Sequence, residues 1–168
     1  MLIVEDGTNV PNANSYESVQ YFRDLADDRD VKLDADDNVL YKQIIRATDY
    51  SETFDYKGTK LYTDQRLQFP RENLIIDGLL MDSEEIPELM KRFIFEILVL
   101  ISSGQVLQEV VDHRNGLLTE DTVGPLTKKW GMSSVKPLYG PGKFKSLDMY
   151  IRKLTAYKGF GSLVACRG

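Results

Sequence analysis

Cysteine and histidine are almost missing from this chain of 168 residues, which has one of each, Cys166 and His113. One thiol cannot form an internal disulfide, and one thiol with one imidazole cannot build a zinc or iron-sulfur ligand set, so a reduced intracellular setting is expected. His113 lies in the polar run Asp112-His113-Arg114-Asn115-Gly116, which reads as a turn rather than part of a catalytic triad. There is no apolar run of bilayer length and no signal-peptide pattern in MLIVEDGTN, so a soluble protein is expected, with no membrane partner. Also missing are a GxSxG elbow and a Rossmann glycine fingerprint. Gly140-Pro141-Gly142-Lys143 imitates a phosphate loop only superficially, because Pro137 stands where the first glycine belongs and Phe144 follows the lysine. The carboxylates are many but form no recognisable acid and base pair. An enzyme is not expected, and neither are a cofactor, a catalytic residue or a metal.

Positive charge is scarce over most of the chain and concentrated at its end. The net charge is −5, yet residues 126 to 168 hold nine lysines and arginines against Asp148 alone, which leaves −13 for residues 1 to 125. An acidic body with a basic C-terminal arm suits a polyanion or an acidic protein partner; the plain alternative is a solvated basic face.

With 42% hydrophobic residues the chain is long enough for one domain with a substantial core. Ser15 is placed as the cap of a first helix over about Tyr16 to Asp27. The acidic run from Asp27 to Asp37 breaks the apolar pattern, and its Asp34, Asp36, Asn38 spelling resembles a calcium loop. Val39 occupies the glycine position and Ile45 the terminal glutamate position, so a capped helix start at Asp36 or Asp37 is the better reading. Leu40, Tyr41, Ile44, Ile45, Ala47, Thr48 and Ser51 then form one face of a second helix that ends before Gly58.

From Gln65 the chain reads QRLQFPRENLIIDGLLMDSEEIP. Pro70 pushes Phe69 toward an extended conformation, and Asp77-Gly78 sits between Ile75-Ile76 and Leu79-Leu80 as a packed loop or short hairpin. Asp82 and Ser83 are candidate caps, with Glu84, Glu85 and Pro87 suited to a helix start. Leu89 to Ile101 is apolar around most of its circumference and should be the buried centre of the protein.

Beyond Gly104 the pattern weakens. Leu117 to Thr119 and Val123 to Trp130, separated by Glu120-Asp121, read as a small β-hairpin over about 117 to 130, with a bend at Gly124-Pro125. Phe144, Leu147, Tyr150, Ile151 and Leu154 are spaced as a fourth amphipathic helix, with the basic arm residues Lys143, Lys145, Arg152 and Lys153 elsewhere around it. Residues 157 to 168, YKGFGSLVACRG, have no helical period, and a tail of this kind frays or docks on a partner. The expected fold is mainly α: a four-helix-type bundle over residues 1 to 156, a small β-hairpin and an extended C-terminal tail.

Taken in order, MLIVEDGTNVPNANSY, IIRATDY, QRLQFPR, the EIP before the long helix and the VGP of the hairpin resemble a family of tailed-phage proteins. Its members are often labelled DnaT-like single-stranded-DNA-binding proteins, and their relatives are head-completion or head-tail connector adaptors. The resemblance covers most of residues 1 to 155. The family commonly has tryptophan where this chain has Phe69, and the basic, glycine-rich tail has no matching feature.

The resemblance implies a virion protein at the head-tail interface, made in the host cytoplasm. It implies a ring of about twelve copies beneath the portal protein, extending the DNA channel and offering a surface to the next tail component, whether nozzle, stopper or tail tube. An acidic body fits a channel through which genomic DNA passes without specific binding, because fixed negative charge repels phosphate. Tyr157, Lys158, Phe160, Leu163 and Val164 are the expected portal-docking residues of the tail, with Ser162 to Cys166 able to add a strand to a sheet edge. The competing function is single-stranded-DNA binding. Lys128, Lys129 and Trp130, or Tyr139, Lys143, Phe144 and Lys145, would then supply cations and stacking rings.

Overall fold

The computed structural model describes residues 1–105 and 145–156, with backbone only for Lys145, together with the backbone of 120–123 and 126–129. Among the described residues there are four helices: α1 (Val19–Asp27), α2 (Asp37–Ser51), α3 (Glu88–Ser102) and α4 (Lys145–Leu154). Six short strands form three two-stranded antiparallel ladders: β1 (Thr59–Lys60) with β2 (Arg71–Glu72), β3 (Ile75–Ile76) with β4 (Leu79–Leu80), and β5 (Glu120–Val123) with β6 (Leu126–Lys129). The chain is thus mainly helical with small hairpins. No helix among the described residues is long and apolar enough to cross a membrane.

Helix α3 is the structural centre. Met90, Phe93, Ile94, Phe95, Ile97 and Leu98 are all buried, so its wide apolar stripe is covered on several sides, as expected from the sequence. It packs between α2 and α4, while α1 packs on α2 and reaches α3 through side chains. Phe93 meets Phe54 edge-on at 5.6 Å and stacks on Tyr150 of α4 at 6.0 Å. Each large side chain buried in this way contributes about 1.5–3 kcal/mol before the entropy of ordering it.

The helix starts differ in part from the expected ones. Asp36 caps α2, accepting the Asn38 amide at 2.8 Å, and Asp34 accepts the Asp36 amide at 3.0 Å. Both carboxylates therefore serve the backbone. In α1 the cap is Ser18 rather than Ser15: the Ser18 hydroxyl accepts the Tyr21 amide, and the helix begins at Val19. Ser15 is fully buried and turned inward, where its hydroxyl donates to the Glu17 carbonyl and its backbone pairs with Val4. Likewise α3 begins at Glu88 behind Pro87, with no side-chain cap. Asp82 closes a local turn onto the Glu84 amide instead.

The hairpin at Asp77-Gly78 forms as read. Both residues have positive φ, 52° and 84°, the combination that a two-residue turn joining twisted strands requires. The second hairpin lies within the expected span but has its strands elsewhere. Glu120 and Asp121 belong to β5, opposite Lys129 and Lys128, and Val123 pairs with Leu126 across residues 124 and 125. The turn signal was therefore Gly124-Pro125 rather than the acidic pair.

Candidate functional site

Three surface features and one buried network account for the segments that the sequence marked out. The buried network occupies the long crossing from Glu52 to Pro87. Phe69 is fully buried, in edge contact with Tyr56 at 5.0 Å and Tyr16 at 6.0 Å. Arg71, nearly buried, donates to the backbone carbonyls of Tyr56, Lys57, Gly58 and Gln68 and to the Gln68 side chain. Burial holds its guanidinium pKa below the ordinary value. The Gln65 amide donates to the Leu67 and Pro70 carbonyls and accepts from the Tyr62 amide. The QRLQFPR block is thus a backbone clamp whose polar groups are spent on the protein itself.

At the end of α2 the Glu52 carboxylate accepts from the Tyr16 hydroxyl at 2.7 Å, and that hydroxyl accepts the Phe69 amide at 3.1 Å. Burial pushes the Glu52 carboxyl up to about 7, against the opposing effects of the Tyr16 hydroxyl, the Gln68 amide and Lys60. Burial, and then Glu52 itself, raises Tyr16 well above its usual value. The opening motif has an equally structural role. Glu5, 2% exposed, accepts the amides of Gly7, Asn9 and Val10 at 2.9–3.0 Å. Gly7 has φ +104°, and a Cβ there would lie 1.8 Å from the Glu84 carbonyl oxygen, so glycine is required.

The first surface feature is an open cleft of about 450 Å³ between the N-terminal loop and the start of α3. Asp6, Glu17, Asp82, Glu84 and Glu85 line it around an apolar floor of Val4 and Ile86. Its single cation, Lys91, is held by Glu17 at 2.6 Å. Such a cleft repels phosphate. A second cleft of about 390 Å³ is lined by Leu2, Val19 and Tyr41, with Arg23 held by Asp37 at 2.6 Å. No cluster of three metal-ligating side chains occurs among the described residues.

The second feature is the root of the basic arm. Leu147, Tyr150, Ile151 and Leu154 are buried, and Arg152 is exposed, so α4 has the expected apolar and basic sides. Lys153 does not reach out as a free cation: its ammonium binds Asp77 at 2.6 Å, tying α4 to the first hairpin. The carbonyl of Lys153 accepts the Lys57 ammonium, while Thr155 pairs with Tyr56 and the Ala156 amide donates to Asp55. The end of the described chain, through Ala156, therefore lies beside residues 55–57. Lys145 is described by its backbone, at the start of α4. Lys143 and the tail residues Tyr157, Lys158, Phe160, Leu163 and Val164 lie outside the described residues.

The third feature was not singled out as a site in the sequence. Ile75 is 51% exposed, Leu79 71% and Leu80 69%, so the β3–β4 hairpin exposes aliphatic side chains on both faces, the paired Ile75 and Leu80 on one and Leu79 on the other. The signal was present, since four aliphatic residues flank the turn and the core accepts only Ile76 of them.

With this geometry in place, one comparison is decisive. The family described as "Putative DnaT-like ssDNA binding protein" matches residues 1–168. The chain belongs to that family. No curated protein and no solved structure matches it.

Proposed function

We propose that this member of the DnaT-like family is a structural adaptor of a tailed phage, assembled as a ring of about twelve copies beneath the portal. In this reading the four helices form the bundled body of each subunit, and the ring extends the DNA channel toward the next tail component. The carrying observation is where the charges and rings lie. Residues 1–105 contain twenty-one aspartates and glutamates against eleven lysines and arginines. Tyr16, Phe22, Phe54, Tyr56, Phe69, Phe93, Phe95 and Tyr150 are all buried in the core. Such a charge distribution guides DNA by repulsion, and among the described residues these rings are turned into the core rather than stacked in a positive groove, the combination that single-strand binding uses. Genomic DNA would pass without specific contact, the subunit would reside in the virion, and neither enzymatic activity nor a cofactor is invoked.

The basic arm and tail supply the docking element. Tyr157, Phe160, Leu163 and Val164 anchor the tail on the portal, with Lys158, Lys145 and Arg152 drawn to acidic portal surface. Deleting residues 157–168 should abolish co-sedimentation with portal while leaving the circular dichroism and melting of the body unchanged. Binding retained by the truncated chain would contradict this assignment.

The second reading, single-stranded-DNA binding, is favoured by the family description. Its candidate residues Lys128, Lys129, Trp130, Tyr139, Lys143 and Phe144 have no described side chains, and neither has Lys145. Fluorescence anisotropy with oligonucleotides at rising salt separates the two readings. A DNA binder loses affinity steeply as counterions compete, whereas an adaptor shows little binding even at low salt.

A further inference from the structure

We propose that the Asp77-Gly78 turn is a site of spontaneous isoaspartate formation, restrained by Lys153, and that this change unfastens the β3–β4 hairpin from α4. The chemistry depends on the turn alone, whether the chain serves as an adaptor or binds DNA.

The chain has two Asp-Gly pairs, Asp6-Gly7 and Asp77-Gly78. A glycine after aspartate leaves the side-chain carboxyl open to attack by the next backbone nitrogen, because no Cβ stands in the way. The two pairs are equivalent in sequence and different in the fold. Gly7 is buried, its amide donates to the Glu5 carboxylate at 3.0 Å, and the Glu84 carbonyl fills the space beside its Cα. The Asp6 carboxylate accepts from the Thr8 hydroxyl at 2.6 Å and from the Thr8 amide at 3.1 Å. Both reacting groups of that pair are therefore occupied. Asp77 and Gly78 are exposed, the space beside Gly78 is open, and its amide donates to no acceptor among the described residues. The restraint is Lys153, whose ammonium holds the Asp77 carboxylate at 2.6 Å; with the Asp77 side chain 60% exposed, such a pair opens readily to water.

The reaction needs only water. The Gly78 nitrogen bonds to the side-chain carboxyl carbon of Asp77, and the carboxyl OH leaves as water with the Gly78 amide proton, closing a five-membered succinimide. Water then adds to the ring. Where it cleaves the bond between the nitrogen and the former main-chain carbonyl, that carbonyl becomes the free carboxylate and the chain runs on through the side-chain carbon. The isoaspartate has the composition of the aspartate, one more methylene in its backbone and a displaced carboxylate. Both features disable the clip. The two-residue turn, built on φ values of 52° and 84°, loses its length, and Lys153 loses the partner that ties α4 to the hairpin.

Peptide mapping of the folded full chain by mass spectrometry, after ageing at neutral pH and physiological temperature, tests this. Isoaspartate should accumulate at position 77 several-fold faster than at position 6, and in urea the two positions should react at similar rates. Lys153→Ala should raise the rate at position 77 several-fold with circular dichroism unchanged. The isoaspartate form, separated from the unmodified chain, should exchange the backbone amides of the hairpin and of the last turn of α4 faster, with those of α2 and α3 unaltered. A position 77 that reacts no faster than position 6 in the folded chain overturns the site. An unchanged rate in Lys153→Ala overturns the restraint, and unaltered exchange in the isoaspartate form overturns the release.

Discussion

Glu52 shows how a single partly buried carboxyl can make the body sensitive to pH. Its pKa in the fold is about 7, raised by burial from an ordinary 4.5, so folding disfavours its ionised form. Stability from this group is fully present below the ordinary value and is lost as pH rises through 7. The groups around it are Tyr16, Lys60, Asp49, Tyr56, Arg71 and the Gln68 amide. Glu52→Gln keeps an acceptor for the Tyr16 hydroxyl and removes the titration. The variant should gain on the order of 2 kcal/mol over the wild type between pH 5.5 and pH 8, as read by urea unfolding at both values. An equal difference at the two values would contradict this account. Arg71 and Glu5 belong to the same scale. Each spends its charge on backbone groups of its own loop, so neither offers it to a ligand.

At the scale of elements, periodicity placed most of the fold. The faces of α2, α3 and α4 were readable because their buried residues recur at helical spacing, and Asp77-Gly78 specified its turn through two positive φ values. Helix starts were less readable, because several residues near each start can cap and only packing selects among them. Ser15 and Ser18 are equally good caps in isolation. The pairing of Ser15 with Val4 draws the first into the core and leaves the second to cap α1. Ser18→Ala should therefore cost about 1 kcal/mol through loss of the cap. Ser15→Ala should act through its buried turn instead, leaving the helical signal of α1 intact in amide exchange. The clamp roles of Gln65 and Arg71 were hidden for a related reason: their partners are backbone carbonyls of an irregular crossing, which no sequence period announces. The aliphatic residues of the hairpin were legible as composition, but their exposure depended on which of them the core had room for, and it took only Ile76.

For the whole molecule, the distribution of charge was legible from the start and the location of function was not. The QRLQFPR and opening motifs carry the resemblance, yet their side chains are occupied in holding the body together. The proposed roles fall instead on an acidic body and on the basic C-terminal segment, whose helix α4 is tied to the hairpin by Lys153 and whose described end, Ala156, lies beside Asp55. Family membership and acidic surface pull toward different readings, since the family description names single-stranded DNA while twenty-one carboxylates on residues 1–105 oppose phosphate. Electron microscopy of the chain mixed with a portal protein encoded beside it addresses the central claim most directly. The account predicts a closed ring of about twelve copies seated on the portal and coaxial with its channel. Portal particles that remain bare at saturating chain would contradict it.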